Sequence, residues 1–395
     1  MEKFLSKNVE AIPQSGIRRF FDLIQGNNDC LSLVVGEPDF KTPDHIREAA
    51  VEAIREGKTR YTSNWGLPEL RRNVSRYLEE RFGVAYDYEN EIMMTIGASE
   101  AIDLALRALV EPGDEVLIPD PAYVAYSPCT LLNYGVPKAV RTFESDGFKL
   151  TAENLEKEIT DKTKVVILPY PSNPTGAIMT EEELKPVADV IIRHDLICVS
   201  DEIYGELTYG RRHFSMAAIP GMKERTVLIS GFSKSFAMTG WRVGFACADN
   251  ALLKQMIKIR QFTTVCPATM AQYACIDALE TGFKNGFADI EYMREKYDER
   301  RRLMHEGLNS IGLHAFEPQG AFYIFPNVSV TGFDGMEFAL KILEEEKVAM
   351  VPGSAFGDFG KNNVRISYAY SIDSLKEGLA RIGRFVDAHR KQDCI

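Results

Sequence analysis

The sequence predicts an α/β protein, with a large domain built on a mainly parallel central sheet flanked by helices and a smaller α+β domain beside it. Three observations carry this. Short β-rich runs alternate with helical periods through the middle of the chain, the pattern of a parallel sheet covered on both faces. Several of the runs are continuously apolar (VVIL at 165–168, VLIS at 227–230), as strands buried on both sides must be. Near the end the pattern changes, and two strand-like runs flank a helix.

In order, the predicted strands of the large domain are 92–95, 115–119, 165–169, 197–201, 227–231 and 243–248. Helices are expected at 99–110, 181–194, 249–262 and 267–281. The second of these opens on Thr180 with Glu183 three residues on, a capping box. In the smaller domain, 321–326 and 364–369 read as strands and 336–347 as a helix. A last helix is capped by Ser371 and carries Leu375, Leu379, Ile382, Phe385 and Val386 at spacings of three and four. The first forty-odd residues have too little apolar content to fold alone and are expected to pack on the smaller domain or across an interface. The division expected is 45–285 for the large domain, and 1–44 with 286–395 for the small one.

Composition excludes several classes of function. The 395 residues include 46 basic and 57 acidic side chains, a net charge of −11, so neither a nucleic-acid footprint nor an anionic membrane partner is expected. No apolar run reaches the roughly 18 residues of a membrane span. The seven cysteines are scattered, with no Cys-x-x-Cys pair, and fit reduced thiols in a cytoplasmic protein. The six histidines form no metal-binding spacing, so no metal is expected.

On such folds ligands sit beyond the carboxyl ends of the strands. The first strand runs into Gly97-Ala98-Ser99 and a helix, a turn whose free N–H groups suit an anion. The second ends in Pro119-Asp120-Pro121-Ala122-Tyr123, which presents Tyr123 either as a flat face or as a packed surface ring. The third leads to Asn173, placed to donate to a ligand or simply to make an Asn-Pro turn. The fourth ends in Asp201, with Tyr204 three residues on. An acid there is costly unless paired, so either a cationic ligand atom or a helix cap accounts for it. The fifth leads to Ser233 and Lys234, and then to Arg242. A lysine is ordinarily a solvated charge, but a place behind a buried strand among small and aromatic residues can depress its pKa, which would give an amine nucleophile able to form a Schiff base. Together these residues offer a nucleophile, an acid for a cationic nitrogen, a stacking ring and a phosphate cradle. Pyridoxal 5′-phosphate presents a partner for each.

The motifs SKSFAMTGWRVGF (233–245), PSNPTG (171–176) and SDEIY (200–204) resemble those of the fold-type-I, class I/II pyridoxal-phosphate aminotransferases, in the family's order and spacing. VGEPDF (35–40), RYTSNWGLPELR (60–71), VPGSAFG (351–357) and VRISYA (364–369) extend the resemblance over essentially the whole chain. The finer texture is similar to the bacterial and archaeal aspartate and aromatic branch that includes aminotransferase A. The resemblance implies that Lys234 holds the cofactor and moves a proton, and that Asp201 pairs with its ring nitrogen. It implies that Tyr204 and Asn173 bind the phenolate oxygen and that Tyr123 stacks on the ring. Ala98, Ser99, Ser233 and Arg242 would hold the phosphate. Tyr61 would reach the phosphate of the partner in a homodimer. Arg365, helped by Asn173, would clamp the substrate carboxylate, and the backbone of Gly36 would close over it. Two positions depart from the pattern. Gly231 stands where many relatives have serine, and Ser99 where aspartate-specific members of a related branch have lysine.

The expected reaction is ping-pong transfer of an amino group from an L-amino acid to a 2-oxo acid such as 2-oxoglutarate. Aromatic or broadly neutral donors are favoured, with aspartate an open possibility. A carbon–sulfur β-lyase on the same fold is the alternative, and a regulatory domain that binds the cofactor without catalysis a remote one. The segment 12–21 is a candidate cover for the site.

Overall fold

The structure is a computed structural model that describes residues 4–12 and 29–390. In chain order the strands are β1 (Leu31–Ser32), β2 (Ile92–Thr95), β3 (Glu115–Asp120), β4 (Val136–Arg141), β5 (Thr163–Leu168), β6 (Ile197–Asp201), β7 (Thr226–Gly231), β8 (Gly244–Cys247), β9 (Tyr323–Ile324), β10 (Val348–Ala349), β11 (Val351–Pro352) and β12 (Val364–Ser367). Seven form the large sheet, in the order β2-β8-β7-β6-β5-β3-β4. All run parallel except β8, which is antiparallel to both neighbours. β2 and β8 are buried along their whole length, and β5 to β7 nearly so, because helices cover both faces.

Each of the six strands expected in this sheet is present, within a residue or two at either end. β4 has no counterpart among the expectations. It is an edge strand whose sequence, VPKAVR, carries a proline and two cations and is mostly solvent-facing, so it lacks the apolar signal that marks a central strand. The helices Asp44–Arg55, Pro68–Phe82 and Ala288–Ser310 also lie outside the expected set. Those expected are found at Gly97–Leu109, Glu181–Arg193, Asn250–Gln261, Thr269–Asn285 and Gly335–Glu346. The Thr180–Glu183 capping box closes in both directions, and Ser371 caps the last helix, Ile372–His389.

A three-stranded sheet, β11-β12-β9, forms the second, smaller layer. Its core gathers Phe322, Tyr323, Phe338, Ile366 and Phe385, and it also takes in Tyr204 and Leu207 from beyond the end of β6. β1 pairs in parallel with β10, and Leu33 continues the contact into Ala349 and Ser367. The stretch Val34 to Gly36, next in the chain, is thereby carried from the small sheet to the edge of the large one. The expected cover at 12–21 lies outside the described residues, apart from Ile12.

The direction of β8 decides which of its residues reach that edge. Because β8 runs backwards, its first residues, not its last, stand where the parallel strands end. Gly244, which opens it, packs so closely on the turn after β2 that a Cβ would lie 2.8 Å from the Ala98 nitrogen and 2.9 Å from the Ser230 carbonyl oxygen. These neighbours are backbone atoms and have nowhere to move. Gly244→Ala is therefore expected to cost about 1–3 kcal/mol of stability, the usual penalty for overpacking. It should also displace the 97–99 turn. Urea denaturation of the variant measures the cost.

Candidate active site

A cavity of about 640 Å³ opens where the strands of the large sheet end against the smaller one. That is ample for a cofactor and a small substrate together. The expected site residues converge there from separate elements: Ala98 and Ser99 after β2, Tyr123 after β3, Asn173 after β5, Asp201 and Tyr204 after β6, Ser233, Lys234 and Arg242 between β7 and β8, and Arg365 on β12, with Gly36 at the rim. Tyr61 alone does not line the cavity. It projects outward, 86% exposed.

One end of the cavity suits an anion. The helix Gly97–Leu109 begins there, and its N-cap residue, Ile96, offers no side-chain cap, so first-turn N–H groups are open. Arg242 lies directly against Gly97, and its Nη1 donates to the Thr239 carbonyl at 2.8 Å. It has no carboxylate partner among the described residues. The residue holds a positive φ of 54°, an uncommon conformation for a non-glycine that turns the chain into β8. Ser99 and Ser233 supply hydroxyls beside it. The departure at Gly231 has a steric reason: a Cβ there would stand 2.7 Å from the Gly244 Cα, so a side chain has no room, and the serine that reaches the cavity is Ser233.

The middle of the cavity holds two charges without full compensation. Asp201 accepts from the Tyr126 hydroxyl at 2.8 Å and from the Ile203 N–H at 3.2 Å. Burial outweighs these bonds and pushes its carboxyl up to about 6. Lys234 donates from Nζ to the Gly36 carbonyl at 2.6 Å. Burial pulls its amine down to about 8, with Arg365 and Arg242 acting in the same direction and Glu37 against them. A buried lysine so shifted is a nucleophile near neutral pH. Tyr204 shares a hydrogen bond of 2.9 Å with Tyr323, and Tyr123 stands at 5.6 Å from Tyr126, edge to face.

The far end presents a buried guanidinium. Arg365 donates to the Asn173 Oδ1 at 3.0 Å and to the Val34 carbonyl at 2.6 Å, and its charge lies over the Tyr323 ring at 4.4 Å. Its Nε has no partner, and burial lowers its pKa. No carboxylate approaches it among the described residues. A cation so held is costly unless an anion arrives.

Two of the lining tyrosines are absent from the expected set. Tyr126, which holds Asp201, comes three residues after Tyr123 in AYVAY, so the second aromatic of that short repeat is its signal. Tyr323 is read in sequence only as one residue of an apolar strand, and nothing local marks its hydroxyl as functional.

The residues present fit pyridoxal phosphate. The anion end matches its phosphate, the unneutralised Asp201 its ring nitrogen, and Lys234 its aldehyde. Fold and cavity together define a pyridoxal-phosphate-dependent transferase of the α/β class. Comparison with known proteins agrees. Residues 28–382 match the family model for aminotransferase class I and II. The chain is 43% identical to an aspartate aminotransferase of Pyrococcus abyssi (strain GE5 / Orsay) over 379 residues, covering 96% of this chain and 97% of the relative. It is 42% identical to aromatic-amino-acid aminotransferase 2 of Thermococcus litoralis (strain ATCC 51850 / DSM 5473 / JCM 8560 / NS-C), with the same coverage. Among solved structures, the aspartate aminotransferase from Thermus thermophilus with maleate superposes with a TM-score of 0.91 at 37% identity, over 96% of this chain and 99% of the other. The chain belongs to the class I and II aminotransferase family, and it is a pyridoxal-phosphate-dependent aminotransferase.

The lowered lysine has a consequence for the cofactor-free protein. An unfolded lysine titrates near 10.4. Between about 8 and that value the unfolded chain therefore binds more protons than the native one, and stability rises with pH across this window. Below it, the buried charge costs about 3 kcal/mol. Lys234→Met should accordingly stabilise the cofactor-free protein at pH 7 by an amount of that order. The advantage should shrink as pH rises from 8 to 10, as paired urea denaturation curves measure.

Proposed function

We propose that the enzyme moves an amino group from an L-amino acid to a 2-oxo acid in two half-reactions at this one cavity, with Lys234 as the residue that holds the cofactor and carries the proton. The observation that carries this reading is the half-buried amine of Lys234, bonded only to the Gly36 carbonyl, in one cavity with Asp201 and two arginines that have no carboxylate partner among the described residues. When bound, the cofactor supplies an electron sink that lets the substrate Cα–H bond break.

The protein's own contributions come from placement. Asp201, held by Tyr126, would keep a proton on the cofactor's ring nitrogen. Arg242, the two serines and the open helix N-terminus would hold its phosphate. Arg365 takes the α-carboxylate in a two-pronged contact, with Asn173 already bonded to it, and so fixes which face of Cα meets Lys234. Tyr204, in its bond to Tyr323, stands over the amine at 5.7 Å from Nζ to ring centre. The Gly36 carbonyl, which accepts from Nζ, orients the lysine and brings the 34–36 segment over the substrate.

The substrate reading favours aromatic or neutral side chains. Lys234, Arg242 and Arg365 are the cations that line the cavity among the described residues, and each has a role with the cofactor or the α-carboxylate. Val34, Ile102, Val124 and Tyr323 offer apolar surface instead. Relatives named for aspartate and for aromatic amino acids are similarly close in identity, so the naming of relatives does not decide it.

Tyr61 supports a homodimer in which each chain completes its partner's phosphate site. The segment bearing it is fixed to its own chain by Thr269, which donates to the Arg60 carbonyl at 2.6 Å, and by Gln272, which donates to Thr62 at 3.1 Å. Tyr61 and Phe262, both 86% exposed, are large apolar rings left for another surface to cover. The chain divides at about 45 and 285, with the smaller part closing on the substrate. The six described cysteines are unpaired, which suits the cytoplasm, and no helix of the described residues is long and apolar enough to cross a membrane.

Lys234→Ala should bind pyridoxal phosphate without the absorption band of the lysine-bound cofactor and should show no turnover. Normal turnover would overturn the assignment. Arg365→Ala should raise KM for every amino-acid donor by about a hundredfold, as loss of a desolvated charge contact does, while leaving cofactor affinity within a few-fold. Half-reaction absorbance changes against the twenty amino acids should be fastest with aromatic or neutral donors. Aspartate as the preferred donor would contradict the substrate reading.

A further inference from the structure

One buried charge has no part in the transfer of the amino group. Arg260, on the helix Asn250–Gln261, is fully buried and is among the largest such side chains in the protein. Its Nη1 donates to the carbonyls of Met94, inside β2, and of Asn64 at 3.2 Å. Its Nε and Nη2 have no hydrogen-bond partner, although Nη2 stands 3.3 Å from the Glu100 carboxylate. Burial lowers its pKa, and the Glu100 charge opposes that. So much desolvation for so few bonds calls for a reason beyond packing.

Glu100 supplies it. It sits in the first turn of Gly97–Leu109, the helix whose N-terminus forms the anion end of the cavity. Its carboxylate folds back over that turn, accepting from the Ile96 N–H at 2.5 Å and from the Thr264 hydroxyl at 2.5 Å. These bonds hold the turn from β2 into the helix in shape. An acid at a helix start is ordinarily favourable, but here it draws on the same positive field that a bound phosphate needs. Left uncompensated, Glu100 would weaken the anion site that its hydrogen bonds build.

We infer that Arg260 is a positioning residue for the cofactor phosphate: by neutralising Glu100 from beneath the helix start, it lets the carboxylate shape the 96–100 turn without repelling the phosphate bound on the other side. Through Met94 it also fixes the end of the strand that feeds this turn. Arg260 touches neither cofactor nor substrate and acts only through Glu100. The inference rests on reading the Gly97–Leu109 N-terminus as the phosphate site.

The test compares pyridoxal 5′-phosphate with pyridoxal, which lacks the phosphate, by equilibrium titration of cofactor-stripped enzyme. In Arg260→Gln, affinity for pyridoxal phosphate should fall about tenfold, the order expected for one uncompensated charge several ångströms away. Affinity for pyridoxal should hardly change. Glu100→Gln keeps one acceptor for the Ile96 N–H, lets its amide donate to the Thr264 hydroxyl in place of accepting from it, and removes the charge, so its preference for the phosphate form should rise severalfold. The double variant should recover the wild-type preference. Equal weakening of both ligands in Arg260→Gln, or a double variant no better than it, would show a merely structural role and overturn the inference. Should Arg260→Gln not fold, Glu100→Gln alone decides, since an unchanged or reduced phosphate preference contradicts charge compensation. A wild-type enzyme without preference for the phosphate form would instead refute the phosphate site itself.

Discussion

The structure depends on a burial of charge that the protein alone does not balance. Asp201, Lys234 and Arg365 line one cavity, yet no two of them form an ion pair with each other among the described residues. Asp201 is held by a tyrosine and a backbone N–H, Lys234 by a carbonyl, and Arg365 by an amide and a carbonyl. Each bond orients its group, and none neutralises it. A pairing between Lys234 and Asp201 would be cheaper, but it would leave neither free for a ligand. The fold keeps the charges apart, and each stays open to a ligand group of opposite charge, as the proposed function requires.

The sheet makes this separation possible. Parallel strands deliver their carboxyl ends to one edge, so groups far apart in the chain meet there. The reversed β8 brings Arg242 to the same edge from its opposite end, and the glycine pair Gly231–Gly244 lets that strand close up against the 97–99 turn. The second sheet contributes Arg365 and Tyr323 from above. Its core is continuous with Tyr204, so the two layers share side chains at the site. The cavity is thus positive at both ends in a protein of net charge −11, and the overall charge says little about what the site attracts.

Much of this is legible in the sequence because strand ends carry short-range signals. A buried apolar run leading into an acid fits a ligand or a helix cap alike, and a lysine is ordinarily a surface charge; it is their combination with Tyr123, Asn173, Ser233 and Arg242 at the other strand ends, and then the resemblance, that singles out Asp201 and Lys234. What the sequence hides is of a different physical kind. β4 is an edge strand with a polar exposed face. Tyr323 belongs to a run in which every residue is apolar on paper, so its hydroxyl contact with Tyr204 depends on the docking of two sheets. Arg260 lies on a helix face whose burial arises from packing against β2 and the 60–66 segment, about 160 to 200 residues away. Tyr61 is named by resemblance, and within this chain it simply projects outward.

At the centre stands a carboxylate held at a cost, which under the proposed function the cofactor's ring nitrogen would relieve. At neutral pH the raised titration of Asp201 corresponds to about 3 kcal/mol of destabilisation in the cofactor-free protein. The most direct measurement is the thermal unfolding of wild type and Asp201→Asn at pH 7, each with and without pyridoxal phosphate. The cofactor-free variant should melt higher than cofactor-free wild type, and the cofactor should raise its melting temperature by less. A cofactor-free variant that melts lower, with an undiminished shift on adding the cofactor, would contradict the role given to Asp201.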